Sequence, residues 1–170
     1  MSSPPRRRPE PVQVVKLRRD RALARLVSSV PYVGFLGMSF DRRGDELTAV
    51  LPWRDGLTGN PALPALHGGV TAGFMESAAI VELTWSLHWA AMEAAADAGE
   101  PVPETLPPLP RTIDFSVDFL RSGLPRDAYA RARIARSGRR YASVLVEAWQ
   151  DNRDRLFARA SGHFLMPGRM

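Results

Sequence analysis

The chain contains no cysteine, which excludes disulfides, thiolate metal sites and cysteine nucleophiles together. Lysine occurs once, at Lys16, so the net charge of +5 is carried almost wholly by arginine. Such a bias measures electrostatic capacity and does not by itself name a partner. Histidine is scarce too: His67, His88 and His163 show no metal-ligand spacing, and no metal is expected. Long hydrophobic runs are also missing. The most apolar stretch, Ile80 to Ala91, is broken by Glu82, Ser86 and His88, well short of a membrane span. The first sixteen residues are polar and proline-rich, without the apolar core of a signal peptide. A cytoplasmic protein with no membrane partner is the expectation. Nucleic acid is not an expected partner either. Arg6-Arg7-Arg8, Arg18-Arg19 and Arg21 are basic, but residues 1 to 30 have room for one good helix, whereas a helix-turn-helix needs two.

What is present suits one globular domain: 170 residues, 45% of them hydrophobic, enough for a single core. Residues 1–12, with prolines at 4, 5, 9 and 11, are expected to form a disordered tail, and 13–170 a single domain. Arg18 to Val30 has the spacing of a short amphipathic helix. Val33 to Phe40 and Glu46 to Trp53 flank Asp41-Arg42-Arg43-Gly44-Asp45 and predict a β-hairpin. A Gly/Pro-rich loop then leads to His67, and a long helix is expected from Gly69 towards Ala98, ending by Gly99. Five prolines between Glu100 and Pro110 predict an extended connector. From Arg111, Ile113, Phe115, Val117 and Phe119 alternate with Thr112, Asp114, Ser116 and Asp118, the period of a strand with one apolar and one polar face. Ala128 to Ala135, Tyr141 to Trp149 and Leu156 to Met166 supply three more strands, the four pairing as a meander. One antiparallel sheet of five to six strands with the long helix across one face would bury both.

The most informative run is Leu66-His67-Gly68-Gly69-Val70-Thr71-Ala72-Gly73-Phe74-Met75-Glu76. It puts a histidine and two glycines at the mouth of a helix whose only ionisable residues through Leu87 are Glu76 and Glu82. A carboxylate on a helix enclosed by other structure is costly and needs a function. A helix N-terminus offers free N–H groups and a positive partial charge, which suit an oxyanion, and the Gly69 N–H is the expected donor. Glu76 lies about 10 Å further along the same helix, too far to act on a carbonyl held at its own terminus. Ser77 is not a serine-hydrolase nucleophile, because no Gly-x-Ser-x-Gly elbow surrounds it. Trp85, Trp89 and Met92 are expected to pack the helix, with His88 and His163 in packing or surface roles.

The element order, His67-Gly68-Gly69, and a carboxylate nine positions after the histidine (67 + 9 = 76) resemble the hotdog fold, specifically the phenylacetate-pathway (PaaI-like) acyl-CoA thioesterases. Thr112 to Arg121 and Gly138-Arg139-Arg140 with Ala142-Ser143-Val144 are similar to that family's third strand and following hairpin. The resemblance implies a homodimer, further assembled as a dimer of dimers. The carboxylate of one subunit then faces the His-Gly-Gly of the other, and the reaction is hydrolysis of an acyl-CoA thioester. It implies Glu76 as base or nucleophile, His67 as carbonyl-positioning residue, Asn60 as holder of nucleophile or carbonyl, and Thr112 as orienter of water. Asn60 lies seven residues before His67 where the family commonly has six. Gly68, Arg121, Arg139 and Arg140 would bind substrate, the arginines meeting coenzyme A phosphates. No cofactor is implied, coenzyme A being part of the substrate. The alternative is a non-catalytic acyl-CoA-binding sensor or scaffold of the same fold.

Overall fold

The computed structural model describes residues 10–168, so positions 1–9 of the expected tail lie outside the described residues. Helix α1 (Val12–Ser28) begins directly after Pro11 and is six residues longer at its start than its amphipathic core suggests. A short helix α2 (Pro31–Leu36) follows, where a strand from Val33 is expected. Proline at the first helical position, where its missing N–H costs nothing, and Gly37 in the left-handed region at φ 72 supply a start and a stop for this one turn and a half. The hairpin of β1 (Ser39–Arg43) and β2 (Glu46–Leu51) is shorter than expected and turns on two residues, Gly44 and Asp45. Gly44 has φ 65, as the first residue of a tight primed turn requires.

After a single 3₁₀ turn (Asp55–Leu57) the long helix α3 (Gly68–Ala98) runs 31 residues to a left-handed cap at Gly99. The extended connector then delivers β3 (Arg111–Phe119), β4 (Ala128–Ser137), β5 (Tyr141–Trp149) and β6 (Ala158–Leu165). All pairings are antiparallel and the strand order is β1-β2-β4-β5-β6-β3. The last four strands therefore do not form a plain meander. β4 pairs with β2 and sends β3 to the far edge beside β6, where the Leu120 and Arg121 N–H groups donate to the Phe157 carbonyl and anchor the crossing chain. The result is the hotdog arrangement, a six-stranded sheet wrapped on one long helix.

The inner face of the sheet is built from small residues: Ala128, Ala130, Ala142, Ala148, Ala158 and Ala160 are all buried. Low relief lets α3 approach and fill the space with its own Phe74, Met75, Val81 and Trp85, each contributing roughly 1.5–3 kcal/mol by leaving water. Trp85 and Met92 are buried, and Trp89 packs edge-on against Trp85 at 5.6 Å under the Arg19 guanidinium. These three residues pack the helix as expected. His88 is buried and His163 lies on the surface 3.5 Å from Asp114. No group of three metal-capable side chains occurs among the described residues, and none of their helices is long and apolar enough to cross a membrane.

Glu82, the second carboxylate of α3, has a different environment from Glu76. β2 and β4 pair only from Ala49 to Leu51, and a cavity of about 750 Å³ opens beside the unpaired stretch, with Glu82, Asp45, Glu46 and Ile134 in its wall. Burial, reinforced by the Asp45 and Glu46 carboxylates, pushes Glu82 up to about 7. The folded chain thus binds a proton between the ordinary carboxylate value and about 7 that the unfolded chain releases. Stability from this group is full below pH ~4.5 and is lost as pH rises through about 7. Glu82→Gln is expected to be more stable than wild type at pH 8, by roughly 3 kcal/mol at most. The difference should vanish below pH ~4.5, as urea unfolding at the two pH values would show.

Candidate active site

The loop before α3 is tied down at its last residues. The Leu66 N–H donates to the Gly123 carbonyl at 2.8 Å, the His67 N–H donates to the Leu57 carbonyl at 2.9 Å, and Thr58 bridges Leu66. His67 is the N-cap of α3, and its Nδ1 accepts the Gly69 N–H at 2.9 Å. An accepting Nδ1 puts the ring proton on Nε2, which leaves Nε2–H as a donor.

That bond changes the role expected of Gly69. Its N–H is not free for an oxyanion, because the histidine cap already accepts it. A Cβ on Gly69 would lie 3.0 Å from Nδ1, so the missing side chain makes room for the imidazole. The N–H groups of Gly68 and Val70 have no acceptor among the described residues, and Gly68 faces the ring of Phe119, whose Cζ would be 3.4 Å from an added Cβ. Phe119 thus borders the helix mouth, a neighbour that sequence alone does not reveal.

Glu76 sits on the least buried stripe of α3, with Gly69, Gly73 and Ile80. Its Oε1 accepts the Thr112 hydroxyl at 2.6 Å. Simple alternation would place Thr112 with Asp114, Ser116 and Asp118 on the polar face of β3. The ladder instead shifts register between Thr112 and Asp114: Thr112 opposes Phe164, Asp114 opposes His163, and Ile113 is the extra residue. A bulge reverses the side-chain phase, so Thr112 joins Phe115 and Val117 on the helix side, where it meets Glu76.

The other expected site residues lie apart from this pair. Asn60 uses its side-chain oxygen to accept the Ala62 N–H at 2.9 Å, a local turn that fixes the loop and does not reach Glu76. Arg121, Arg139 and Arg140 are exposed, and no side-chain partner holds them among the described residues. They fall at opposite ends of the sheet. Arg139 and Arg140 precede Tyr141, which lies level with Leu165 and Arg111, the Thr112 end of β3. Arg121 follows Phe119, the Gly68 end.

A six-stranded antiparallel sheet around one long helix, whose mouth is capped by His67, defines a protein of the hotdog fold. The chain belongs to the acyl-CoA thioesterase family: the family model described as acyl-CoA thioesterase N-terminal domain matches residues 59–165. Among solved structures, a protein from Chromobacterium violaceum is 36% identical, with a TM-score of 0.62, covering 94% of this chain and 100% of its own. A thioesterase from Haemophilus influenzae shares the fold at 18% identity and a TM-score of 0.62, with 81% of this chain and 82% of that one covered. So does a phenylacetic acid degradation-related protein from Ralstonia eutropha, at 18% identity and a TM-score of 0.62, covering 85% and 99%. A search of the curated proteins finds no match.

Proposed function

We propose that the chain hydrolyses an acyl-CoA thioester to the free acid and coenzyme A, at a site shared between two copies. The observation that carries this reading is the Thr112–Glu76 hydrogen bond at one end of β3, with the Gly68 mouth and Phe119 at the other. β3 spans nine residues, about 30 Å, and Gly68 and Glu76 are about 12 Å apart along α3. One copy alone therefore cannot place its base on a carbonyl bound at its own helix mouth.

A two-fold axis through the middle of β3 removes the difficulty. Among the described residues β3 is an edge strand, paired only with β6, and Ile113 and Phe119 on it are 55% and 57% exposed. An apolar open edge is a liability unless another strand covers it. Antiparallel pairing of β3 with its copy sets the Thr112 end of one chain against the Phe119 end of the other. Glu76 and Thr112 then face the partner's Gly68 and His67. The same operation brings Arg139 and Arg140 to the rim that holds the partner's Arg121, three unpaired guanidinium groups suited to phosphates. A dimer of dimers is built from two such pairs.

In this site Thr112 holds Oε1, and Glu76 takes a proton from water as its oxygen attacks the thioester carbon. Negative charge develops on the carbonyl oxygen, where the Gly68 N–H, the helix terminus and His67 Nε2–H stabilise it. Collapse breaks the C–S bond, and the proton held by Glu76 goes to the leaving sulfur. A carboxylate attack through an anhydride uses the same residues. The chemistry needs water, a base and donors, with no resident cofactor. Free-thiol release from phenylacetyl-, benzoyl-, hexanoyl- and dodecanoyl-CoA tests the reading. Release is expected from at least one of them; coenzyme A esters that raise the melting temperature without any release would point instead to a binding protein.

A further inference from the structure

A second cavity, of about 710 Å³, lies between α1, the C-terminal half of α3 and the proline-rich connector. Its size is that of a small-molecule site. Met92 and Ala22, both buried, form its floor, Val14 and Leu17 of α1 stand exposed beside it, and Val102 of the connector completes the apolar wall. Met92 is 16 residues beyond Glu76 on α3, about 24 Å, so this groove is separate from the candidate active site.

Arg18, Arg21 and Arg25 also line the cavity, and their spacing of three and four puts them on one stripe of α1. Glu10 holds Arg18 through bonds of 3.0 and 2.8 Å. The Arg18 Nε is nevertheless buried without an acceptor among the described residues, and Arg21 and Arg25 make neither an ion pair nor a side-chain hydrogen bond there. Glu104 is the one acid in the lining among the described residues. Three guanidinium groups against the carboxylates of Glu10 and Glu104 leave one positive charge over. We propose that this groove binds an amphiphilic monocarboxylate, an acyl chain ending in a carboxylate, and that its occupant is the free acid released by the reaction proposed above. Naming that acid rests on the hydrolase reading; the chemistry of the groove does not. A guanidinium fork matches a carboxylate through paired N–H···O bonds, and the acyl chain leaves water against Leu17, Val14, Met92 and Val102. Coenzyme A fits less well. Its phosphates carry more charge than the groove leaves over, and the lining among the described residues holds no aromatic ring on which a base could stack.

Decanoate, kept below its micellar range, is titrated into the full chain labelled at its methionine methyl carbons. The Met92 signal, assigned by its loss in Met92→Leu, is followed by ¹³C NMR. A saturable shift is expected. Decanol, with the same chain and no charge, should bind about tenfold more weakly or worse, and so should decanoate to the double variant Arg21→Gln/Arg25→Gln. Ala24→Glu, which adds a carboxylate at the exposed rim of the groove, should weaken decanoate in the same way without touching the arginines. An unmoved Met92, or a shift whose affinity survives both sets of substitutions, overturns the site. Decanol binding as tightly as decanoate overturns the carboxylate head, and a Met92 shift produced by coenzyme A at lower concentration than decanoate overturns the choice of ligand. An arginine-dependent decanoate shift in a chain that releases no thiol from any acyl-CoA would leave the groove standing and overturn the hydrolase reading, and with it the origin of the acid.

Discussion

Glu76→Gln is expected to lower thioester hydrolysis by about 10²–10⁴-fold, the range that a positioned general base supplies. The fold should be unaffected. Glutamine has the same length and shape, and its carbonyl oxygen can still accept the Thr112 hydroxyl that now bonds Oε1 at 2.6 Å. The residue lies on the least buried stripe of α3 and makes no ion pair among the described residues. The substitution therefore removes a charge without leaving a cavity, and a melting temperature close to wild type should accompany the loss of turnover. Activity near wild type would remove Glu76 from the chemistry.

Gly68→Pro should cost about 10²–10³-fold in kcat, the effect of deleting one oxyanion donor. Proline is the substitution that isolates the N–H. Gly68 is the first residue of α3, where proline is favoured because that N–H has no intrahelical acceptor. The residue before a proline must be extended, and His67 already is, at φ −59 and ψ 135. An added Cβ meets Phe119 at 3.4 Å, an ordinary contact. Loss of activity with an intact melting temperature would assign the donor to Gly68. Unchanged kcat would return it to Val70 or to a rotated His67 that releases Gly69.

Much of this architecture is legible in the residues. The α3 helix, the alternation of β3, both hairpins and the Glu76 position follow from periodicity and from glycine and proline punctuation. The departures have local causes. α2 reads as a strand because Val33-Gly34-Phe35-Leu36 is a short apolar run without a visible period, although Pro31 and Gly37 bracket it as a helix. The pairing of β3 with β6 depends on long-range packing that no local pattern encodes. Thr112 falls on the wrong face in a strict alternation because a one-residue bulge at Ile113 leaves no mark in composition. The role of Gly69 depends on the rotamer of His67, which spacing does not specify. Gly73 is a partial exception: a glycine inside a helix signals close approach, and Tyr32 is what approaches.

The shared site is the central claim, and complementation tests it most directly. Glu76→Gln and Gly68→Pro are each prepared alone, then mixed in equal amounts under conditions that allow subunits to exchange. If Glu76 of one copy acts at the Gly68 mouth of the other, each mixed dimer carries one intact site and one doubly defective site. Thiol release should then rise to about a quarter of wild type, since half the dimers are mixed and half their sites work. A mixture no more active than its two parents, with exchange confirmed, would place base and oxyanion donor in the same chain and contradict the account.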